Sequence, residues 1–371
     1  MDKVTKMASP ATGNGAQGQV MFVKERVEAL YQKKQMRMIA FGLTIAFISA
    51  VLNIVFPNFN VATTNQINGQ FHSTLLASYI MSIFTLGICE FSGGVFCLIW
   101  NIVRGIPAAE IGRNWRVKSG RMIMLSALIA GPIGTGCTVV AYSLCGTTYA
   151  ACIVAMAPII TCFLSRIFLK EKISGRAWTG IVISIVGALI ACLIGAPSGS
   201  SQFAVGIAIA CVCPIAFALE GIIGTHAVDV TDPMFSCPMY RMVASGIFQV
   251  VIAIFLSAVT GHDAWIGQLV TLITSNNRCM LFMLCTAIAM FLQYNMAYCS
   301  YNYCGAAKAE AILFTSTFWS IPVGFAMQAA GILPYHVNIA GIIGAIVVVV
   351  GIVMVVAKPS ELFSLRSTEE D

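Results

Sequence analysis

Ten apolar stretches divide this chain, each long enough to cross a hydrocarbon core of about 30 Å as a helix. They are Met38–Pro57, Ser73–Val103, Arg121–Ser143, Thr147–Leu169, Trp178–Ala196, Phe203–Thr225, Met234–Thr260, Cys279–Ser300, Ala309–Ile332 and Val337–Ala357. A backbone in lipid finds no water to bond, so each stretch must satisfy its own amides as an α-helix. Composition agrees: 58% of the 371 residues are hydrophobic and 10% are charged, whereas soluble domains carry about 25% charged residues. The sequence predicts an all-α polytopic membrane protein with ten transmembrane helices.

The basic residues orient those helices. With a cytosolic amino terminus, 19 of the 21 Lys and Arg residues fall on one side of the membrane. Arg241 lies inside a stretch and Arg278 faces the other side. The positive-inside rule then predicts an even number of crossings with both termini cytosolic. The net charge of +6 is accounted for by this asymmetry and needs no nucleic-acid partner. Fourteen cysteines, mostly inside apolar stretches, lack the spacing of a zinc site or disulfide framework and read as small packing residues. No metal or other cofactor is expected.

Ionisable groups inside apolar stretches cost roughly 2.5–3.5 kcal/mol each on insertion scales, so they are functional candidates. Glu90 lies near the middle of the second stretch, with no partner evident. Glu220 and Arg241 lie at similar depths in the sixth and seventh, where pairing would lower the cost of both. These three are the candidate coupling or gate residues. Lys308 and Glu310 sit near the interface, where charges snorkel. The eighth stretch carries Gln293 and Asn295 beside Tyr294, Tyr298 and Tyr301 at spacings of four and three. Such a face is expected against protein or a cavity rather than lipid. Trp319, Thr315, Tyr142, Thr138 and Asn53 add similar groups. Gln293, Asn295, Tyr298, Trp319, Tyr142 and Asn53 are the candidate substrate-binding residues.

The segment Ala141–Gly195 has a short loop, a helix with a proline at Pro158, a Lys170–Glu171 turn, and a last helix with Gly180, Ser184, Gly187 and Ala191 on one face. This resembles the end of the repeat unit in the drug/metabolite transporter superfamily, in its EamA-like branch. A shift of 164 gives a weaker second copy in Ala297–Lys358, carrying Pro158 onto Pro322, Gly180 onto Gly344 and Gly187 onto Gly351; Glu171 falls on Tyr335. The resemblance implies two inverted five-helix repeats, residues 38–196 and 203–357, between a basic cytosolic tail (1–37) and a short one (358–371). It also implies a central cavity lined by helices 1, 3, 4, 6, 8 and 9, which carry all the binding candidates. Pro158 and Pro322 are the expected helix breaks. The small-residue stripe reads as a site of close helix approach.

The expected function is a secondary transporter that moves a small organic metabolite or drug-like molecule by alternating access, with the site near the midplane. The related alternative is a nucleotide-sugar or phosphorylated-sugar antiporter; the alternative from another class is a cation channel using Glu90. No Walker A, HExxH or GxSxG motif occurs, so neither ATP-driven pumping nor an enzyme is expected. The expected setting is the plasma membrane or an endomembrane, as a monomer or homodimer, with the bilayer and a small-molecule substrate as partners.

Overall fold

The computed structural model describes residues 13–72, 74–113, 116–168, 175–194, 201–228, 236–304 and 312–356, and among these it is helical with no strand. In chain order the helices are α1 Gly13–Asn68, α2 Leu75–Val103, α3 Ala108–Arg113, α4 Lys118–Ile129, α5 Cys137–Cys145, α6 Thr147–Val154, α7 Ala157–Phe168 and α8 Gly175–Leu189. They continue with α9 Ser201–Ala210, α10 Cys213–Val228, α11 Ser236–Val259, α12 Ala264–Ser275, α13 Asn277–Cys304, α14 Ser316–Ala329 and α15 Ile339–Val356. The Lys170–Glu171 turn, Lys308, Glu310 and the tail beyond residue 356 lie outside the described residues, as do residues 1–12.

Among the described residues, six helical segments are long and apolar enough to cross a membrane: Met36–Asn68, Leu75–Val103, Gly120–Cys145, Gln202–Glu220, Cys237–Val259 and Asn277–Ser300. Shorter apolar helices cover Thr147–Ile160, Trp178–Cys192, Ala264–Ser275 and Ile339–Val355. The outer surface is that of a protein solvated by lipid. Phe255, Val259, Val103, Leu281 and Ile339 are exposed, while Asn60, Thr63, Thr85, Gln249, Thr286 and Thr317 are fully buried. Apolar side chains gain nothing by leaving lipid, so polar contacts and close packing hold the interior together.

The helices pair closely. α1 lies along α13, α2 along α11 and α8 along α15, while α5 meets α9, α4 meets α10 and α6 meets α14. The α1–α13 pair is antiparallel: Ser49 Oγ donates to the Gln293 carbonyl at 3.0 Å, and Cys279 Sγ to the Thr63 carbonyl at 3.7 Å. The α8–α15 seam is built from small residues. A Cβ on Gly180 would stand 2.6 Å from the Gly351 carbonyl oxygen, and one on Gly187 would stand 2.6 Å from the Val348 nitrogen and 3.0 Å from the Gly344 carbonyl oxygen. Between them Ser184 Oγ donates to the Val348 carbonyl at 3.3 Å.

Several sequence expectations change. Pro57 does not end the first helix, which runs on to Asn68. Asn58, Asn60, Thr63 and Thr64, beyond the apolar stretch, are buried against neighbours. Asn58 Nδ2 donates to the Ile54 carbonyl at 2.8 Å, Asn58 Oδ1 accepts from Thr147 Oγ1 at 2.6 Å, and Asn60 Nδ2 donates to Thr85 Oγ1 at 3.3 Å. The connection after the seventh stretch contains α12, which buries Trp265, Leu269 and Ile273 at spacings of four. Trp265 stacks on His262 at 4.0 Å and on His72 at 4.9 Å.

The two proline sites diverge. The fourth stretch breaks at a turn over Ala155 and Met156, with Pro158 in the first turn of α7, where its missing N–H does no harm. Pro322 is no break: it sits inside continuous α14 on an exposed position, and the turn comes earlier, at Phe314–Thr315. The third stretch is interrupted by a π-helical segment, Ala130–Gly136, containing Pro132. The Pro132 carbonyl accepts from Tyr79 Oη at 3.0 Å. Gly146, at φ 90°, lets α5 turn into α6 without a loop, a backbone conformation closed to most side chains.

Candidate functional site

Three ionisable residues from three helices meet in one buried cluster. Arg241 on α11 is fully buried and sends Nη1 to Glu90 Oε1 on α2 and Nε to Glu220 Oε1 on α10, the latter at 2.8 Å. Its guanidinium carbon lies 4.3 Å from the centre of the Tyr294 ring of α13. A cation over a desolvated aromatic face is stabilised by the ring quadrupole. The Glu90 carboxylate takes two further donors on Oε2: Ser245 Oγ at 2.7 Å, and Gln249 Nε2. Gln249 Nε2 also donates to Ser245 Oγ at 3.0 Å.

The helices make this arrangement by simple periodicity. Arg241, Ser245 and Gln249 recur at spacings of four on α11, which puts them on one face. The antiparallel α2–α11 contact is close because its facing positions are small: a Cβ on Gly246 would stand 2.5 Å from the Phe91 nitrogen, and one on Gly94 would stand 3.0 Å from the Val243 nitrogen. Gly131 of the π-helical segment leaves room for Ser245, whose Oγ a Cβ there would strike, and for Gln249, whose Nε2 would lie 3.2 Å from it.

The structure therefore joins all three charged candidates and gives Glu90 the partner the sequence did not reveal. Sequence reading missed Ser245 and Gln249. Their fourfold spacing from Arg241, in a stretch otherwise apolar, was the available signal.

The substrate-binding candidates do not form one constellation. Asn53 bridges α1 to α14, its Nδ2 reaching Ser316 Oγ at 3.5 Å. Asn295 donates to the Phe291 carbonyl at 2.6 Å and to Cys97 Sγ at 3.1 Å, tying α13 to α2. Gln293 is buried and its Oε1 has no hydrogen-bond partner among the described residues. Tyr142 is buried in the apolar core, and Tyr298 is half-buried against it. Trp319 edges onto Phe47 at 4.8 Å and lines a groove of about 610 Å³ with Leu43, Thr44, Thr315 and Phe318. Its indole Nε1 is buried without a hydrogen-bond partner among the described residues. The side chain of Tyr301 lies outside the described residues.

A second polar contact joins the broken fourth stretch to α14. Thr148 Oγ1 meets Ser320 Oγ at 2.9 Å and Tyr335 Oη at 2.5 Å, and Thr317 Oγ1 donates to the Ala151 carbonyl at 3.1 Å. Hydroxyls carry these contacts, and each can rotate to a new partner.

No curated protein matches the chain. A solved structure described only as "Crystal structure of protein" shares the fold, with a TM-score of 0.52 at 13% identity over 85% of this chain and 96% of that one. Residues 36–193 match the EamA-like transporter family, consistent with the drug/metabolite transporter superfamily, and with six apolar helices of membrane-crossing length this points to a multi-pass membrane transporter.

Proposed function

We propose that the chain is a secondary transporter of ten transmembrane helices, arranged as inverted five-helix repeats over residues 38–196 and 203–357, with both termini cytosolic. It moves a small organic molecule by alternating access between the halves. The observation that carries this reading is the α8–α15 seam. A shift of 164 carries Ser184 onto Val348, the residue its hydroxyl meets. The same shift exchanges the Gly180–Gly351 contact with the Gly344–Gly187 contact. Two antiparallel helices that exchange in this way are related by a two-fold axis perpendicular to both, the relation of an inverted repeat. The other pairs support it. The second helices of the halves pair as α2 with α11 and the fourth as α6 with α14. First-with-eighth (α1–α13) mirrors sixth-with-third (α9–α5).

The charged cluster would couple or gate transport, and Gln293, Asn295, Tyr298, Trp319, Tyr142 and Asn53 would line the cargo path. Both guanidinium edges used by Arg241 are taken by carboxylates. An anionic cargo such as a nucleotide sugar therefore finds no free cation there, and an amphipathic or zwitterionic cargo fits better.

The test is a thermal-shift screen of small organic metabolites on purified protein, followed by counterflow of each stabilising compound in proteoliposomes. Saturable counterflow is expected. Ion conductance without counterflow of any stabilising compound would replace the carrier with a channel.

A further inference from the structure

The two carboxylates of the buried cluster are not equivalent. Glu90 is fully buried, and its two oxygens receive donors from Arg241, Ser245 and Gln249. All three donors come from α11 and fix that carboxylate in place against it. Among the described residues Glu220 receives one donor, Arg241 Nε, and its side chain is 16% exposed. The described groups that face Glu220 are Arg241 from α11, Glu90 beyond it from α2, and the Tyr294 ring from α13. On α4, which packs against α10, Lys118 and Arg121 are exposed; on α7 the side chain of Arg166 lies outside the described residues. With both carboxylates ionised, one guanidinium leaves the cluster with an unbalanced negative charge among apolar helices. An uncompensated charge at such a site is strongly unfavourable.

We infer that the two acids divide the work: Glu90, held by Ser245 and Gln249, is the fixed counter-ion of Arg241, and Glu220 carries the exchangeable proton. The proton passes between the Glu220 carboxyl and water at its exposed edge. Each exchange changes the cluster from neutral to singly negative, and Arg241 stays bound to Glu90 throughout. Ser245 and Gln249 are positioning residues in this scheme. The role in coupling rests on the transport reading, whereas the division between the acids rests on donors and charge.

Infrared difference spectroscopy of the purified full chain in lipid nanodiscs, titrated with pH and without cargo, tests it. The wild type should show a protonated carboxyl stretch that disappears as pH rises. Glu220→Gln should lose that band, and Glu90→Gln, which leaves Arg241 balanced by Glu220 alone, should show it only at lower pH. Ser245→Ala and Gln249→Ala, whose side chains donate to Glu90 and not to Glu220, should keep the band at an unchanged carbonyl frequency. Absence of the band in wild type, its survival in Glu220→Gln, or a shifted frequency in both Ser245→Ala and Gln249→Ala would overturn the assignment. So would a band that vanishes when sodium replaces choline at constant pH, since a metal ion would then fill the site. Correct band behaviour with no cargo flux would leave the division of roles standing and remove only the transport reading.

Discussion

Adding one methyl group to the α8–α15 seam should push the helices apart, and the cost can be read from the contacts. An alanine Cβ at Gly180 or Gly351 falls 2.6 Å from a backbone carbonyl oxygen of the facing helix, and one at Gly187 or Gly344 falls 2.6 Å from a facing backbone nitrogen. Ordinary contact begins at 3.4 Å, so the axes must part by about 0.8 Å. Backbone atoms cannot swing aside as a side chain can. Overpacking of this kind costs about 1–3 kcal/mol, set against about 0.5–1 kcal/mol returned by the higher helix propensity of alanine. Each of the four variants should lose about 1 kcal/mol or more in SDS-induced unfolding followed by loss of helical circular dichroism. Gly267→Ala, in α12 with nothing within 4 Å, is the control and should be neutral or slightly stabilising. The proposed dyad adds a sharper demand: Gly180 and Gly344 variants should cost alike, as should Gly187 and Gly351 variants. Four variants indistinguishable from Gly267→Ala would refute the close seam. Equal costs within each helix but not across the halves would refute the dyad.

Arg241→Met should destabilise by about 3–5 kcal/mol, since it leaves two buried carboxylates facing each other. Combining it with Glu90→Gln and Glu220→Gln should cost less than the three changes separately, and simple additivity in the same unfolding assay would reject the cluster. Trp319→Ala and Gln293→Ala should each weaken cargo affinity about tenfold, near 1.4 kcal/mol, with helical content retained. Unchanged affinity by isothermal titration would remove both from the cargo path.

The helices were legible wherever hydrophobicity alone decides. Leu75–Val103 and Cys237–Val259 match their apolar stretches closely because every backbone group in lipid must be satisfied locally. The polar end of α1 was illegible, because Asn58 and Thr64 look the same in sequence whether they face water or a neighbouring helix. The Gly180–Ser184–Gly187–Ala191 stripe announced close packing, and its partner could be guessed only through the shift of 164. Pro322 misled because a proline's consequence depends on whether its helix has somewhere to bend. In the site, the cost of burying charge singled out Glu90, Glu220 and Arg241. Their convergence depends on how α2, α10 and α11 cross, which no local pattern encodes. Ser245 and Gln249 carry no charge, so nothing marked them apart from their spacing.

Stiffness in this fold is unevenly distributed. At the α8–α15 seam backbone lies on backbone, and opening a gap of 0.5–1 Å there forfeits a quarter to a half of each dispersion contact it breaks. Where α6 crosses α14 the contact runs through Thr148, Ser320, Thr317 and Tyr335, whose hydroxyls can trade partners at about 1 kcal/mol each. Under the proposed alternating access the first contact would be the fulcrum and the second the slip plane. Rotation of one proposed repeat against the other would then concentrate at the polar crossing, with the glycine seam shut.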